Sequence, residues 1–385
     1  MWGSRRWVVA TVTISAAALG VGSGPSCADD GHGDGVSAAL GATHTFVGRE
    51  GLLVVEIATR EVVEVGLDGA DARVESRPRI PGSGPLVNPS GTQLADGRWA
   101  VAGNDCSSVE TVDPDGCEPG TFTLAVLDGA DWSLLDDLPD EFRESFVSVA
   151  GVEGGDVLMA RWDAGDSSYW TVDVAERQVN EVAWRPSRLP LGGEVITDAE
   201  MSDLGSTRSA CLSDGALVVI EGRPGNGGYA TTLTALPAGG DDLTPETVDL
   251  ALGDEIVMLN LVCAEGERAH LVGTDRASGE PVAVEVRVDD GTVGQVLVAP
   301  MTGDLLLSGV TVAEGAATLT YQAEDAGVSP SAPSEVAMFR AGEWTVSTEA
   351  DGITSSETAY LPSEPGAPLI VRSADRASYR VVAVD

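Results

Sequence analysis

From Gly51 onward the chain repeats one phrase: a Gly or Asp turn, a short apolar run, a variable segment, and a second apolar run ending near another Asp-Gly-type turn. The leading runs are GLLVVEIA from Gly51, GRWAVAG from Gly97, GDVLMARW from Gly155, GALVVIEG from Gly215, DEIVMLNLV from Asp254, GDLLLSGV from Gly303 and APLIVRS from Ala367. Apolar runs of this length bounded by turn residues read as strands, and beyond the N-terminal segment no stripe at helical spacing competes with them. Their starts are separated by 46, 58, 60, 39, 49 and 64 residues. The mean, about 53, is the scale of a four-stranded propeller blade with variable loops.

The intervening segments supply partners. REVVEVGLDG from Arg60, FTLAVLDGADWSLL from Phe122, SYWTVDVAERQVNEVAW from Ser168 and VAMFRAGEWTVST from Val336 alternate in polarity around short polar turns, as antiparallel hairpins do. The pattern predicts an all-β fold, a β-propeller of seven blades over residues 38–385, with six or eight as neighbouring counts. THTFVG near Thr43 and SYRVVAVD near Ser378 would share one blade and close the ring. Tandem β-sandwich domains are the alternative, because local strand signals do not specify long-range partners.

Composition narrows the chemistry. All 22 basic side chains are Arg, against 61 Asp and Glu, for a net charge of −39. This excludes a nucleic-acid binder that works by neutralising phosphates and a polybasic membrane anchor. The absence of Lys excludes Schiff-base enzymes and Ser-x-x-Lys acyl transfer.

Arg5 and Arg6 precede an apolar run from Trp7 to about Val21, the layout of a signal peptide over residues 1–28, followed by a polar linker over 29–37. The predicted location is extracytoplasmic, either secreted or held on the outer face of the cell membrane. Ser26-Cys27-Ala28 permits two outcomes: cleavage before Asp29, or lipidation of Cys27, since GPSC resembles a bacterial lipobox with Gly24 where an apolar residue is usual. A lipid on Cys27 would be the chain's sole membrane contact. Four body cysteines remain, Cys106, Cys117, Cys211 and Cys263, which allow three connectivities. Pairing Cys106 with Cys117 and Cys211 with Cys263 is preferred, and both bonds suit an oxidising compartment.

The segment NDCSSVETVDPDGCEPG places Asp113, Asp115 and Glu118 where hard oxygen ligands for Ca²⁺ could gather, although the twelve-residue EF-hand pattern is incomplete and Pro114-Gly116 also suits a plain turn. Asp136, Asp137, Asp140 and Glu141 read as a solvated acidic edge. No HExxH, GxSxG or Walker loop is present, and the three histidines are His32, His44 and His270. Catalytic residues are therefore unknown. GRPGNGGY from Gly222 reads as a hairpin tip. The tryptophans Trp99, Trp132, Trp162, Trp170, Trp184 and Trp344, about one per unit, suit packing between blades better than a glycan groove.

These features together resemble extracytoplasmic β-propeller proteins of GC-rich bacteria. The resemblance runs over most of the mature chain and rests on strand pattern; it carries over no functional residue. It implies a binding or scaffolding module at the cell envelope, with an envelope or secreted protein as partner. The alternatives are a secreted carbohydrate-active hydrolase using paired carboxylates on a glycan, and a purely structural envelope protein. Two carboxylates beside an exposed Trp would favour the hydrolase.

Overall fold

The computed structural model describes residues 15–16, 43–68, 71–82, 84–106, 119–135, 138, 142, 146–153, 156–163, 166–182, 207–213, 216–225, 228–236, 246–250, 252, 256–263, 268–275, 277–288, 290–301, 305–313, 315–323, 334–347, 352–354, 356–373 and 376–383. Among them, β1 (Ser15–Ala16) is two residues long, and all other strands fall into seven separate open sheets built from consecutive antiparallel neighbours.

The first sheet is β2 (Thr43–Val47), β3 (Gly51–Glu56), β4 (Val62–Asp68) and β5 (Asp71–Arg77). The second is β6 (Leu86–Gln93), β7 (Trp99–Cys106), β8 (Pro119–Asp128) and β9 (Asp131–Leu134). The third is β10 (Phe146–Glu153), β11 (Asp156–Asp163), β12 (Asp166–Asp173) and β13 (Gln178–Val182). The fourth is β14 (Thr207–Ser213), β15 (Ala216–Gly225), β16 (Gly228–Leu236) and β17 (Glu246–Leu250). The fifth is β18 (Ile256–Cys263), β19 (Arg268–Asp275), β20 (Pro281–Arg287) and β21 (Val293–Val298). The sixth is β22 (Leu305–Ala313), β23 (Ala316–Ala323), β24 (Ser334–Arg340) and β25 (Glu343–Ser347), with β1 added in parallel on β22. The seventh has three strands, β26 (Thr358–Tyr360), β27 (Leu369–Arg372) and β28 (Tyr379–Val382).

Each sheet is packed on both faces, which explains why the sequence shows solid apolar runs where a half-solvated sheet would alternate. Along β3, Leu53 and Val55 point into a cluster with Leu86, Trp99 and Val101 of the second sheet. The intervening Leu52 and Val54 point the other way, into a cluster with Tyr360 and Ile370 of the seventh. Similar clusters join the second sheet to the third, the fourth to the fifth, the fifth to the sixth and the sixth to the seventh. The third meets the fourth along β10 and β14. This succession returns to its start, with no sheet pairing off into a two-layer sandwich.

Two expectations are corrected. The strands near the two ends do not share a blade: among the described residues Thr43–Val47 pairs only with β3, and Tyr379–Val382 only with β27. The ring closes by side-chain packing between the first and seventh sheets, with Arg372 Nη1 donating to Thr43 Oγ1 at 3.0 Å. GRPGNGGY, by contrast, forms the hairpin end expected of it, with β15 and β16 paired as far as Gly225 opposite Gly228. Finally, the leading apolar runs do not mark one structural position. They are the second strand of the first four sheets, but DEIVMLNLV and GDLLLSGV supply the first strands of the fifth and sixth. Counted between second strands, the repeat is 48, 57, 60, 52, 48 and 53 residues, and the anomalous 39 disappears.

Candidate functional site

A cleft of about 450 Å³ opens at the turn end of the first sheet, where residues of the second and seventh sheets approach it. Its walls follow from strand periodicity. Glu64 and Gly66 on β4 lie two apart and share a face, as do Arg73, Glu75 and Arg77 on β5, and the two strands pair Glu64 with Glu75 and Gly66 with Arg73.

These charges form a ladder. Trp99 Nε1 donates to Glu64 Oε1 at 3.1 Å, while Arg77 Nε donates to Glu64 Oε2 at 2.6 Å. Arg77 Nη2 also meets Glu75 Oε2 at 2.8 Å, and Arg73 pairs with the other Glu75 oxygen. Two carboxylates and two guanidiniums thus neutralise one another, and Trp99, buried at 1% exposure, anchors the inner end.

The rim is set by two loops. Gln93, at the end of β6, accepts from the backbone N–H groups of Arg49 at 2.8 Å and Glu50 at 3.3 Å, and its own amide donates to Gly97 O at 3.1 Å. This fixes the β2–β3 turn and presents Glu50. Gly48 is required there, since a Cβ would run into Gln93 and the Trp99 ring. The second loop, 362–367, is held by Arg340 of the sixth sheet. Its Nη1 donates to the carbonyls of Glu364 and Ala367, each at 2.9 Å, and burial lowers the guanidinium pKa from its ordinary value. Glu364 N donates to Arg49 O at 2.9 Å, and its carboxylate meets Arg49 Nη2 at 3.2 Å.

The floor is bare. Gly66 sits mid-strand with nothing within 4 Å of the place its Cβ would occupy. Its cross-strand partner Gly51 has a steric reason to be glycine, because a Cβ there would strike Val65 O. Gly66 has none, and glycine in a strand interior weakens the strand.

Deeper, between the first and second sheets, Arg60 is fully buried with φ +61° and donates to Gly84 O at 2.7 Å and Pro81 O at 2.8 Å. It also pairs with Asp105, which accepts from Thr123 Oγ1 at 3.3 Å. This network ties down the link from β5 to β6 and exposes no reacting group.

The residues singled out by sequence fall elsewhere. Cys27, Cys117, Asp113, Asp115, Glu118, Asp136, Asp137, Asp140, Glu141 and His32 lie outside the described residues. Cys106 ends β7 opposite Pro119. Cys211 is buried on β14 in the cluster between the fourth and fifth sheets, and Cys263 ends β18, which lies beside β14. His44 lies 4.9 Å from Phe46, and burial pushes its imidazole down to about 4. His270 is 5.1 Å from Phe339 and is likewise lowered by burial. Both are packing residues. Among the described residues no group of three His, Cys, Asp or Glu is arranged to hold a metal, and no helix is long and apolar enough to cross a membrane.

Tryptophans bridge sheets. Trp99 packs on the first sheet and Trp170 in the cluster joining the second and third, while Trp132 Nε1 reaches Pro78 O at 2.6 Å and Trp344 Nε1 reaches Leu297 O at 3.1 Å. Sequence reading missed every charged residue of the cleft. The available signal was the period-two spacing of Glu64-x-Gly66 and Arg73-x-Glu75-x-Arg77, which puts polar groups on one face of paired strands.

Sheets of consecutive antiparallel strands, each packed on both neighbours, make this an all-β protein of propeller-like architecture. No protein-family model matches the chain, and no curated protein matches it. Among solved structures it is similar to prolyl oligopeptidase B from Galerina marginata, at 10% identity and a TM-score of 0.50 over 91% of this chain and 52% of that one, so it spans about half of that enzyme. It is also similar to polysaccharide lyase Uly1 (10% identity, TM-score 0.48, 92% of this chain and 91% of that one). A third is the β-propeller domain of the Trilobed protease from Pyrococcus furiosus (12% identity, TM-score 0.45, 88% and 97%). Likeness at these identities concerns fold alone.

Proposed function

We propose that this chain is a seven-bladed β-propeller, exported across the cytoplasmic membrane, that acts as a binding or scaffolding module at the cell envelope. The observation that carries the reading is the cleft: a shaped, polar concavity whose wall carboxylates are already committed. Glu64 accepts N–H bonds on both oxygens and Glu75 is paired on both, so neither can hand over a proton or attack a substrate without dismantling the ladder. The tryptophan beside them is buried and offers no stacking face. That favours binding over glycoside hydrolysis.

Two features support export. The leader has signal-peptide layout, and Cys211 on β14, a strand that lies beside β18, is placed to form a disulfide. Its partner in this proposal is Cys263, which would link the fourth blade to the fifth. The test is cross-linking of the tagged full-length protein in its native envelope, followed by mass spectrometry. A reproducible protein partner is expected. Recovery of glycan fragments alone, with glycan cleavage by purified protein that Glu64→Gln abolishes, would replace this reading with the hydrolase.

A further inference from the structure

The junction that closes the ring buries a cation without a counter-charge. Arg372, the last residue of β27, is 7% exposed and makes no ion pair among the described residues. Its Nη1 donates to the neutral Thr43 Oγ1 at 3.0 Å, its Cζ lies 5.8 Å from the centre of the Tyr379 ring, and its buried Nε has no acceptor. Other arginines withdrawn from water are served better. Arg60 has Asp105 and the carbonyls of Pro81, Gly84 and Pro85, and Arg340 has the carbonyls of Pro362, Glu364 and Ala367. A guanidinium taken out of water is costly unless acceptors replace the water, and here they fall short.

Strand register defines the surroundings. Thr358 and Tyr379 stand directly opposite Arg372 on β26 and β28, so the three side chains leave the seventh sheet on one face, the face of Tyr360 and Ile370 that packs on the first sheet. The next residues, Glu357 and Arg380, leave on the other face and bind each other at 3.0 Å. On the first sheet Glu56, paired with Thr43 across β2 and β3, accepts instead from Thr59 Oγ1 at 2.9 Å. Thr358 is exposed and Thr43 and Tyr379 are half-buried, so the guanidinium is approached from solvent past these side chains. Thr43 Oγ1 accepts from Arg372 and keeps its own hydrogen for a further acceptor.

We propose that Arg372 is an oxyanion site at the closure of the ring. A carboxylate or phosphate group accepts from the guanidinium, whose fork of N–H groups matches two oxygens of one group, and from the Thr43 hydroxyl, and so bridges the seventh sheet to the first. The chain's charge of −39 opposes the approach of any anion, which makes the affinity weak, of about millimolar order. The site stands apart from the binding-module reading, which neither outcome below alters.

The experiment follows melting of the full-length protein while sodium phosphate, or sodium acetate, replaces sodium chloride at one ionic strength, so that screening of the acidic surface stays constant. A saturable rise in Tm is expected, about 3 °C at ten times the Kd. A rise with phosphate alone assigns the site to a phosphate group, and a rise with acetate as well assigns it to a carboxylate; no rise with either would overturn the proposal. Arg372→Gln is expected to melt at or above wild type in chloride, having lost an uncompensated charge, and to lose the response. A variant that melts well below wild type, fails to fold, or still responds would show that Arg372 is already satisfied or is not the site. Thr43→Val keeps the shape of the side chain and removes the shared hydroxyl, and should weaken the anion's apparent affinity about tenfold; an unchanged affinity would count against the bridge. Glu56→Gln should leave both melting and response as in wild type. A lower Tm with a stronger response would mean that Glu56 serves as the counter-charge, and would also overturn the proposal.

Discussion

Substituting Asp105 tests how the first two sheets are held together. Arg60 has no exposed side-chain surface, and its guanidinium is surrounded by the carbonyls of Pro81, Gly84 and Pro85 with Asp105 as its charged partner. Asp105→Ala leaves that cation buried with neutral acceptors alone. Breaking a buried pair from one side costs about 3–5 kcal/mol. Arg60→Ala removes the charge but strips a donor from three carbonyls, at about 1–3 kcal/mol for each one left unsatisfied. Both single variants are therefore strongly destabilised, and the double variant should recover about 2 kcal/mol relative to their sum, since it has no orphaned charge. Urea unfolding followed by tryptophan fluorescence is the assay, with Trp99 reporting on the same interface. Single variants within 1 kcal/mol of wild type, or a double variant that is simply additive, would refute the claim that this pair fastens the two sheets.

Other outcomes follow from separate features. His44 is pushed down to about 4 by burial, below its unfolded value, so the contribution of its neutral ring is fully present above about pH 6.5 and lost as pH falls toward 4; it amounts to about 3 kcal/mol. His44→Gln should flatten the stability profile across that window, and an unchanged slope would contradict the assignment. If Cys211 and Cys263 are bonded, Cys263→Ser should cost about 4 kcal/mol, from the chain entropy of the 52-residue separation. Intact mass of the wild type before and after reduction reads the bond directly; free thiols in exported protein would exclude it. Calcium held by Asp113, Asp115 and Glu118 would raise the melting temperature after EDTA treatment and Ca²⁺ restoration, and no shift would remove that site.

What could be read from the sequence depended on burial. Inner strands such as Leu52–Val55 touch neighbours on both faces and announce themselves as unbroken apolar runs. The outermost strand of the first sheet, Asp71–Arg77, has only exposed and half-buried residues, carries four charges on one face, and gave no apolar signal. The repeat length was recoverable, but its phase slipped where β18 and β22 are more apolar than the strands that follow them, because apolarity reports burial and not position within a sheet. The cleft was hidden for another reason. Glu64 and Glu364 are brought together only by the return of the last sheet to the first, a contact across some three hundred residues that no local pattern encodes.

The separation of the two end strands into different sheets bears on how the molecule is made. Apart from β1 on the sixth sheet, each sheet is drawn from one continuous stretch of chain, and neighbouring sheets are neighbours in sequence. A newly made segment can therefore complete its hydrogen bonding at once and stack on the one before it, with short loops to close. One junction is different: the packing of Tyr360 and Ile370 against Val47, Leu52, Val54 and Val65 must wait until the final residues arrive. Until then the first sheet carries an uncovered apolar face, and the last step of assembly is the meeting of two preformed surfaces.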